Sequence, residues 1–207
     1  HYETTRQLLR AGKHVFSEKI LAGDIHEAAE LVAMAQQKRL CLGVAPDTFL
    51  GAGLQTARNM LDAGLIGKVT SCFAAVNRDQ SYCSEKFGYV RNRGGGVPYD
   101  VGCYYVAALL ALLGPVESVC GYSTNSEPVH TSTMLNRGTY GKTWAMESND
   151  MLVGSMKFTS GVLGSIHFNG ASIMDEQQFI LIYGTEGILQ LGDPNRFDGY
   201  VKLLRKG

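Results

Sequence analysis

Hydrophobic positions in the first 45 residues alternate between a helical and an extended pattern. Residues 2–11 have the spacing of a helix, and residues 14–17 form a short apolar strand. A second helical period, which Asp24 can cap, runs to about Lys38 and is followed by an apolar strand at 40–45. Apolar strands joined by a helix are typical of a parallel sheet covered by helices.

The pattern changes after Pro46. It predicts a helix at 51–63 and strands at 68–76 and 116–123. From Asp150 onward, alternating strands follow one another without helices between them, which indicates an antiparallel sheet. Two hairpins are expected in this part, with turns at 159–161 and 184–187.

Two long segments, 78–97 and 124–149, show no periodicity and are expected to be irregular. The first leads into Gly94-Gly95-Gly96, a loop whose backbone can approach a ligand closely. Pro98 suits the first turn of a helix, and the apolar run 101–113 is expected to continue that helix.

The predicted fold class is therefore α/β plus α+β. The chain reads as the C-terminal part of a Rossmann-type parallel sheet, residues 1–46, followed by an α+β domain with a large open antiparallel sheet, residues 47–207.

Composition narrows the possible functions. Hydrophobic residues make up 45% of the chain and charged residues 18%, which is enough for a packed core. The net charge is zero and no basic stripe is present, so neither nucleic acid nor a membrane surface is an expected partner. Five cysteines without a C-x-x-C pair favour reduced thiols in a cytoplasm over zinc or redox chemistry, and no metal site is expected.

A few polar residues stand where chemistry is possible. Glu18 and Lys19 follow a parallel strand, at the end where open α/β sheets bind ligands. Asp100 and Tyr104 lie four residues apart and would share one helix face. For each of them a purely structural role is the alternative: a surface lysine, an acid favoured by the helix dipole, or a packed phenol.

Four further residues also have both a functional and a structural interpretation. Arg91 and Arg93 flank the glycines and could hold an anionic group, or they could be solvated loop residues. His167 lies on a strand, where packing or an interface is the commoner role. Cys103 is expected to be a small buried residue rather than a reactive thiol.

The segment Gly51-Ala52-Gly53 looks like the start of a dinucleotide-binding fingerprint. Thr56 occupies the place of the third glycine, and no acid follows at the spacing that a ribose contact requires. We therefore expect these glycines to serve close packing at a helix start.

Taken together, these segments resemble the glucose–fructose oxidoreductase / inositol dehydrogenase / MocA family. The segment 11–19, Ala-Gly-Lys-His-Val-Phe-Ser-Glu-Lys, is similar to the family's A-G-K-H-V-x-x-E-K-P element. Residues 94–104 resemble its G-G-G-x-L-x-D-x-G-x-Y/H helix start, while 65–69 and 184–187 resemble its G-x-I-G-x-V and G-T-x-G elements.

The resemblance implies an enzyme that moves a hydride between NAD or NADP and a sugar, polyol or related cyclic alcohol. It places the catalytic lysine on Lys19, the aspartate on Asp100 and the acid/base residue on Tyr104. Glu18 and Lys19 would also border the cofactor. The expected substrate contacts are Arg93, Tyr105 and His167.

Two departures from the family pattern matter. The family's glycine-rich fingerprint would lie upstream of His1, and we expect both ends of the chain to be cut. The family's proline after Glu-Lys, often in a cis bond, is Ile20 here. Because a cis bond before a residue other than proline costs about 3 kcal/mol, the Lys19–Ile20 bond is expected to be trans or else strained.

The resemblance leaves two other functions open. Some relatives use the nicotinamide transiently to cleave glycosides, and others could be non-catalytic nucleotide-sensing proteins. A homo-oligomer through the antiparallel sheet is also expected, because Met151, Val153 and four more side chains are more apolar than one buried face requires. The other four are Phe168, Phe179, Leu181 and Tyr183.

Overall fold

The computed structural model describes residues 1–136 and 138–205, and the side chains of all of these except residues 174–178. The chain divides into two compact units, His1–Asp47 and Thr48–Gly207. Each unit has a hydrophobic core of its own.

The smaller unit is a parallel β–α–β arrangement preceded by a helix. Its elements in chain order are α1 (Tyr2–Arg10), β1 (Val15–Ser17), α2 (Ile25–Gln37) and β2 (Leu42–Val44). Strands β1 and β2 are parallel, with Val15 opposite Leu42. Asp24 caps α2 by accepting a hydrogen bond from the His26 N–H at 2.7 Å. The predicted parallel pair and the Asp24 cap are both confirmed.

The Lys19–Ile20 peptide bond is cis. The expectation of a trans bond is therefore wrong. That expectation rested on the preference of an isolated peptide bond for the trans form. In this structure the cis form occurs before Ile20, a residue other than proline.

The larger unit is a seven-stranded sheet with helices and a small separate ribbon. Its helices are α3 (Ala52–Asp62), α4 (Gln80–Lys86), α5 (Val97–Asp100) and α6 (Gly102–Leu113). Its strands are β3 (Val69–Asp79), β4 (Val116–Thr124), β5 (Val129–Thr131), β6 (Thr143–Ala145), β7 (Met151–Phe158), β8 (Leu163–Asn169), β9 (Ala171–Gly184), β10 (Gly187–Leu191) and β11 (Val201–Arg205).

The large sheet is mixed. Its strand order is β11-β10-β9-β3-β8-β7-β4, and β5 pairs with β6 in the ribbon. Both predicted hairpins, β7–β8 and β9–β10, are antiparallel as expected. The pairing of β3 with β8 is parallel, which the sequence pattern did not predict, because β3 lies far from β8 along the chain.

One face of the large sheet is covered by α3 and α6, and the other is open. Ile166 and Phe168 of β8 belong to the core on the helix side, together with Ala57 of α3 and Leu109 of α6. Because side chains alternate along a strand, His167 lies on the open face. Phe168 is 1% exposed, so it is not part of the apolar open face for which it was predicted.

Two segments that were expected to be irregular contain regular structure. Helix α4 lies in the first of these segments. Asp79 caps this helix by accepting hydrogen bonds from the N–H groups of Ser81 and Tyr82 at 2.9 and 3.3 Å. The β5–β6 ribbon lies in the second. Helix α4 has little apolar periodicity, so its cap and its contacts determine it rather than its pattern.

Within the described residues, no helix combines the length and the apolar character needed to cross a lipid bilayer.

Candidate functional site

The glycine run forms a tight turn between a 3₁₀ turn, Gly88–Arg91, and α5. Gly94 and Gly96 have φ angles of +84° and +78°, which favour glycine. A side chain on Gly95 would lie 2.5 Å from the Tyr89 carbonyl oxygen, and one on Gly96 would lie 2.3 Å from the Asn149 carbonyl oxygen. Gly95 and Gly96 therefore allow a close approach to the protein's own backbone, and an approach of this loop to a ligand stays a prediction.

Gln80 holds the start of α5 in place. Its side-chain oxygen accepts the Val97 N–H at 2.8 Å, and its side-chain nitrogen donates to the Ser148 hydroxyl at 3.2 Å. Gln80 is 4% exposed, so both bonds are shielded from water. The sequence pattern did not indicate Gln80 as a functional residue. Its only sequence signal is its place directly after the α4 cap.

Asp100 ends α5, and Tyr104 lies in the first turn of α6. The helix that was predicted as continuous is interrupted at Val101, whose φ of −114° departs from helical values. The Asp100 N–H still bonds the Gly96 carbonyl at 2.7 Å, and the Tyr104 N–H bonds the Val101 carbonyl at 3.1 Å. Asp100 and Tyr104 are therefore close in sequence and both half-buried, but they lie on two successive helices.

The glycine two residues after Asp100 has a packing role. A side chain on Gly102 would lie 2.6 Å from the Phe168 ring, so only glycine lets α6 lie this close to β8. Cys103 is half-buried beside this contact, and its thiol donates to the Asp100 carbonyl at 3.7 Å. The Tyr89 hydroxyl reaches an Asp100 carboxylate oxygen at 3.5 Å.

Tyr105 belongs to the core. It is fully buried, its ring lies 5.7 Å from that of Phe168, and its hydroxyl donates to Asp193 at 3.2 Å. Burial, reinforced by the Asp193 carboxylate, raises the pKa of Tyr105 above its ordinary value. Arg78 pairs with the other oxygen of Asp193 at 3.2 Å. This burial leaves Tyr105 no surface on which to bind a substrate, because packing and Asp193 account for its ring and its hydroxyl.

The other two expected substrate contacts lie in different places. Arg93 is exposed in the glycine turn, a few residues before Asp100. His167 lies on the open face of the sheet, opposite Val153, whereas α6 covers the other face. Arg93 is therefore near Asp100 along the chain, and His167 lies on the sheet face opposite to the one that α6 covers.

Arg91 also differs from the free loop residue that the sequence allowed. Its Nε donates to the Ser84 carbonyl at 3.0 Å, and its guanidinium lies 4.7 Å from the centre of the Trp144 ring. These contacts give Arg91 a place in the packing of the larger unit.

In the smaller unit, Glu18 and Lys19 follow the carboxyl end of β1 as expected. Ser17 is the last residue of β1 and pairs with Val44 of the parallel strand β2. The Lys19 N–H donates to the Glu18 carboxylate at 3.2 Å, and Lys19 itself is half-buried. A carboxylate and an ammonium at this edge of a parallel sheet fit the hydroxyl and amide groups of a dinucleotide.

The two glycines at the start of α3 serve packing. A side chain on Gly51 would lie 2.3 Å from the Phe197 carbonyl oxygen, and Gly53 lies near Gly199. The interpretation of this pair as close packing rather than a fingerprint is confirmed.

A parallel β–α–β unit followed by a large, helix-backed mixed sheet is the arrangement that the resemblance to two-domain oxidoreductases implies. Residues 1–45 match the family model described as an oxidoreductase family with an NAD-binding Rossmann fold, and residues 54–190 match the GFO/IDH/MocA C-terminal domain. The chain belongs to the GFO/IDH/MocA oxidoreductase family.

Named relatives agree with this membership. The chain is 28% identical over 194 residues to the 1,5-anhydro-D-fructose reductase of Ensifer adhaerens, covering 91% of this chain and 53% of the relative. It is 30% identical over 122 residues to the D-xylose dehydrogenase of Paenarthrobacter nicotinovorans, covering 56% and 31%. The matches thus cover 31% and 53% of the length of these two curated relatives.

A solved structure covers the whole chain. The WlbA dehydrogenase from Bordetella pertussis, determined in complex with NADH and UDP-GlcNAcA, superimposes with a TM-score of 0.75 at 25% identity. The match covers 100% of this chain and 60% of that protein, and it supports the mixed-sheet fold described above.

Proposed function

We propose that the protein containing this chain transfers a hydride between NAD or NADP and a carbinol carbon of a sugar, polyol or related cyclic alcohol. The observation that carries this proposal is the position of Lys19 and Asp100, the two residues onto which the family motif puts the lysine and the aspartate. Lys19 follows the carboxyl end of a parallel strand, and Asp100 ends the short helix after the glycine turn. The relatives that act on xylose and anhydrofructose support the substrate class.

The chain's own residues would supply orientation and proton transfer. Tyr104 would take the hydroxyl proton of the alcohol during oxidation and return it during reduction. Lys19 would orient the substrate hydroxyl. Asp100 would hold a second substrate hydroxyl.

The nicotinamide, when bound, supplies the site that accepts or gives the hydride. Glu18 and Lys19 would border it at the edge of β1 and β2. The assignment of residues 1–46 to the dinucleotide-binding domain and 47–207 to the substrate and dimerisation domain is part of this proposal.

Arg93 stays in the proposal as a substrate contact, because it is exposed beside the segment that carries Asp100. Tyr105 is removed from it, because its side chain is buried and bonded to Asp193. His167 is removed as well, because it lies on the sheet face that α6 does not cover.

The test is a substrate screen on the intact protein. Absorbance of the reduced nicotinamide is followed with a panel of free aldoses, inositols and anhydrosugars, in parallel with the variants Lys19→Met and Tyr104→Phe. Net reduction of NAD or NADP that both variants lose supports the proposal. Glycoside cleavage without net reduction, or nucleotide binding with no turnover of any sugar, would overturn it in favour of one of the two other functions.

A further inference from the structure

A histidine in the β5–β6 ribbon is enclosed by two carboxylates. The Nδ1 atom of His130 lies 3.0 Å from a Glu127 carboxylate oxygen, and Nε2 lies 3.1 Å from a Glu85 carboxylate oxygen. The side chains of His130 and Glu85 are only 5% and 2% exposed. Glu85 comes from α4, so this contact joins the helix to the ribbon.

The two contacts fix the charge of the ring. A carboxylate oxygen only accepts hydrogen bonds, so both ring nitrogens of His130 must donate, and a ring with two N–H groups is an imidazolium. The other oxygen of Glu85 accepts the Ser132 hydroxyl at 2.7 Å, which favours the ionised carboxylate. The cluster is therefore a buried ion pair with its polar groups satisfied.

The pKa directions agree with this geometry. Burial alone would lower the pKa of His130, but the hydrogen bonds to Glu85 and Glu127 outweigh it and hold that pKa above its ordinary value. Burial alone would raise the pKa of Glu85, but the bonds from Ser132 and His130 outweigh it and lower that pKa. Both shifts favour the charged pair.

Trp144 lies against this imidazolium. The two rings are stacked at 5.8 Å with an angle of 6° between their planes, and His130 and Trp144 face each other across the ribbon. The Arg91 guanidinium also lies over the Trp144 ring, at 4.7 Å. Within the described residues, the carboxylates that contact His130 are thus Glu127, before β5, and Glu85, on α4. Arg91 contacts the other aromatic ring of the stack, that of Trp144.

The ribbon leads directly to the glycine turn. The Arg91 carbonyl accepts the N–H groups of Glu147 and Ser148 at 2.7 and 3.1 Å. The next residue, Asn149, places its carbonyl against Gly96, and Gln80 at the other end of α4 bonds both Ser148 and the Val97 N–H. Helix α4 therefore touches the ribbon at one end and the start of α5 at the other.

We propose that His130 is a positioning residue for the candidate site: as an imidazolium clamped between Glu85 and Glu127, it fixes the ribbon and, through segment 147–149, the glycine turn that orients Asp100. The clamp itself is independent of the proposed function. Its effect on turnover rests on that function, because it requires Asp100 to act on a substrate.

The first experiment measures the charge of His130 in the intact protein. Trp144 is the only tryptophan among the 207 residues, and subtracting the spectrum of a Trp144→Phe variant isolates its emission. A stacked imidazolium quenches indole fluorescence more strongly than neutral imidazole does. We expect the emission to rise with pH along a curve whose midpoint lies above the ordinary value of 6.5.

Variants identify the titrating group. Glu127→Gln, at a half-exposed position, should keep the fold and move the midpoint down by about one pH unit. His130→Gln should abolish the titration, whereas the exposed His26→Gln should leave it unchanged. A midpoint at or below 6.5, or a curve that survives in His130→Gln, would overturn the imidazolium.

The second experiment measures positioning without reference to activity. Amide hydrogen exchange of residues 94–104 should be about tenfold faster in His130→Gln than in the parent, which corresponds to the loss of roughly one hydrogen bond's stabilisation. Exchange in β9 and β10 serves as the internal control and should not change. Equal protection of 94–104 in the two proteins would show that His130 is a local packing residue only.

The kinetic arm separates the two proposals. With a substrate in hand, kcat of the parent should fall with rising pH, with the same midpoint at which the Trp144 emission rises. Glu127→Gln should move the midpoints of both curves by the same amount. A kcat profile that stays in place while the emission curve moves would refute the positioning role. A protein with no turnover at all would refute the proposed function, while the fluorescence and exchange results would still decide the clamp.

Discussion

The side-chain oxygen of Gln80 and the backbone N–H of Val97 form a buried hydrogen bond of 2.8 Å. Val97 begins the short helix that ends at Asp100, so this one bond joins α4 to the segment that carries the candidate aspartate. Replacing Gln80 with alanine leaves the Val97 N–H buried without its acceptor.

We expect Gln80→Ala to lower the free energy of unfolding by about 1–3 kcal/mol, the cost of an unsatisfied buried donor. Urea denaturation measures this difference. Gln55→Ala is the matched control, because the Gln55 side chain also bonds the backbone, here by donating to the Phe49 carbonyl, but on the surface. The control should change stability by less than about 0.5 kcal/mol. Equal losses in both variants would contradict a special role for Gln80.

Gly96→Ala should be more damaging than a positive φ alone explains. The new methyl group would lie 2.3 Å from the Asn149 carbonyl oxygen, in addition to the strain of the left-handed conformation. We expect a loss of about 3 kcal/mol or more. Gly114→Ala, at a φ of +85° with no atom within 4 Å, isolates the strain and should cost about 1–2 kcal/mol. Thermal unfolding of both variants checks the difference, and similar melting temperatures would refute the clash.

Tyr104→Phe removes the proposed acid/base group and keeps the ring that packs on the core. If the proposed function holds, turnover should fall about 10²- to 10⁴-fold while the melting temperature changes little. Tyr200→Phe removes a phenol whose hydroxyl accepts a surface hydrogen bond from the Gln190 side chain at 3.4 Å, and it controls for loss of a hydroxyl. Turnover of Tyr104→Phe within a few-fold of the parent would make Tyr104 a packing residue.

The His130–Glu85 pair should make stability depend on pH in two directions. The pKa of His130 is raised, so its contribution is complete below about 6.5 and is lost as pH rises through the folded-state pKa. The pKa of Glu85 is lowered, so its contribution is complete above about 4.5 and is lost as pH falls through the folded-state pKa.

The free energy of unfolding of the parent should therefore exceed that of His130→Gln most clearly between these two values. Urea titrations at about pH 5.5 and pH 9 test this, and the difference should shrink at the higher pH. A difference that does not vary with pH would mean that His130 stabilises the ribbon by packing rather than by charge.

The open face of the sheet provides a test of self-association. Tyr122 and Val153 are paired across β4 and β7 and are 86% and 46% exposed. If copies of the protein associate through this face, Val153→Asp should shift sedimentation towards the monomer. Leu110→Asp, at a similarly exposed leucine on α6, should not. A parent that is monomeric at micromolar concentration would remove the basis for this prediction.

The sequence predicted the parts of this fold that have strong periodicity or a strong turn signal. The Asp24 cap, the β7–β8 and β9–β10 hairpins and the apolar helix up to Leu113 were all visible in the pattern. It did not predict α4 or the ribbon. Their stability comes from contacts such as that of Glu85 with His130, which are 45 positions apart in the chain. The local spacing of hydrophobic residues gives no sign of a contact between such distant positions.

For the candidate site, the sequence supplied single positions whose roles remain predictions. The motif gave Lys19, Asp100 and Tyr104 as single positions, and the strand end supported Lys19 independently. Gln80 was not predicted, because a glutamine in a polar segment reads as a solvated residue until the fold buries it. Tyr105 shows the converse: proximity to the motif suggested a substrate contact, but the helical period turns that side chain into the core.

The position of β3 also has a consequence during synthesis of the chain. Cys72 of β3 pairs with Gly164 of β8 and Ile182 of β9, so both partner strands are synthesised well after β3. At ordinary translation rates this delay is on the order of 5–20 s, during which β3 has unsatisfied backbone groups and an apolar face. Nascent chains that end before β8 should therefore be the ones that depend most on chaperones.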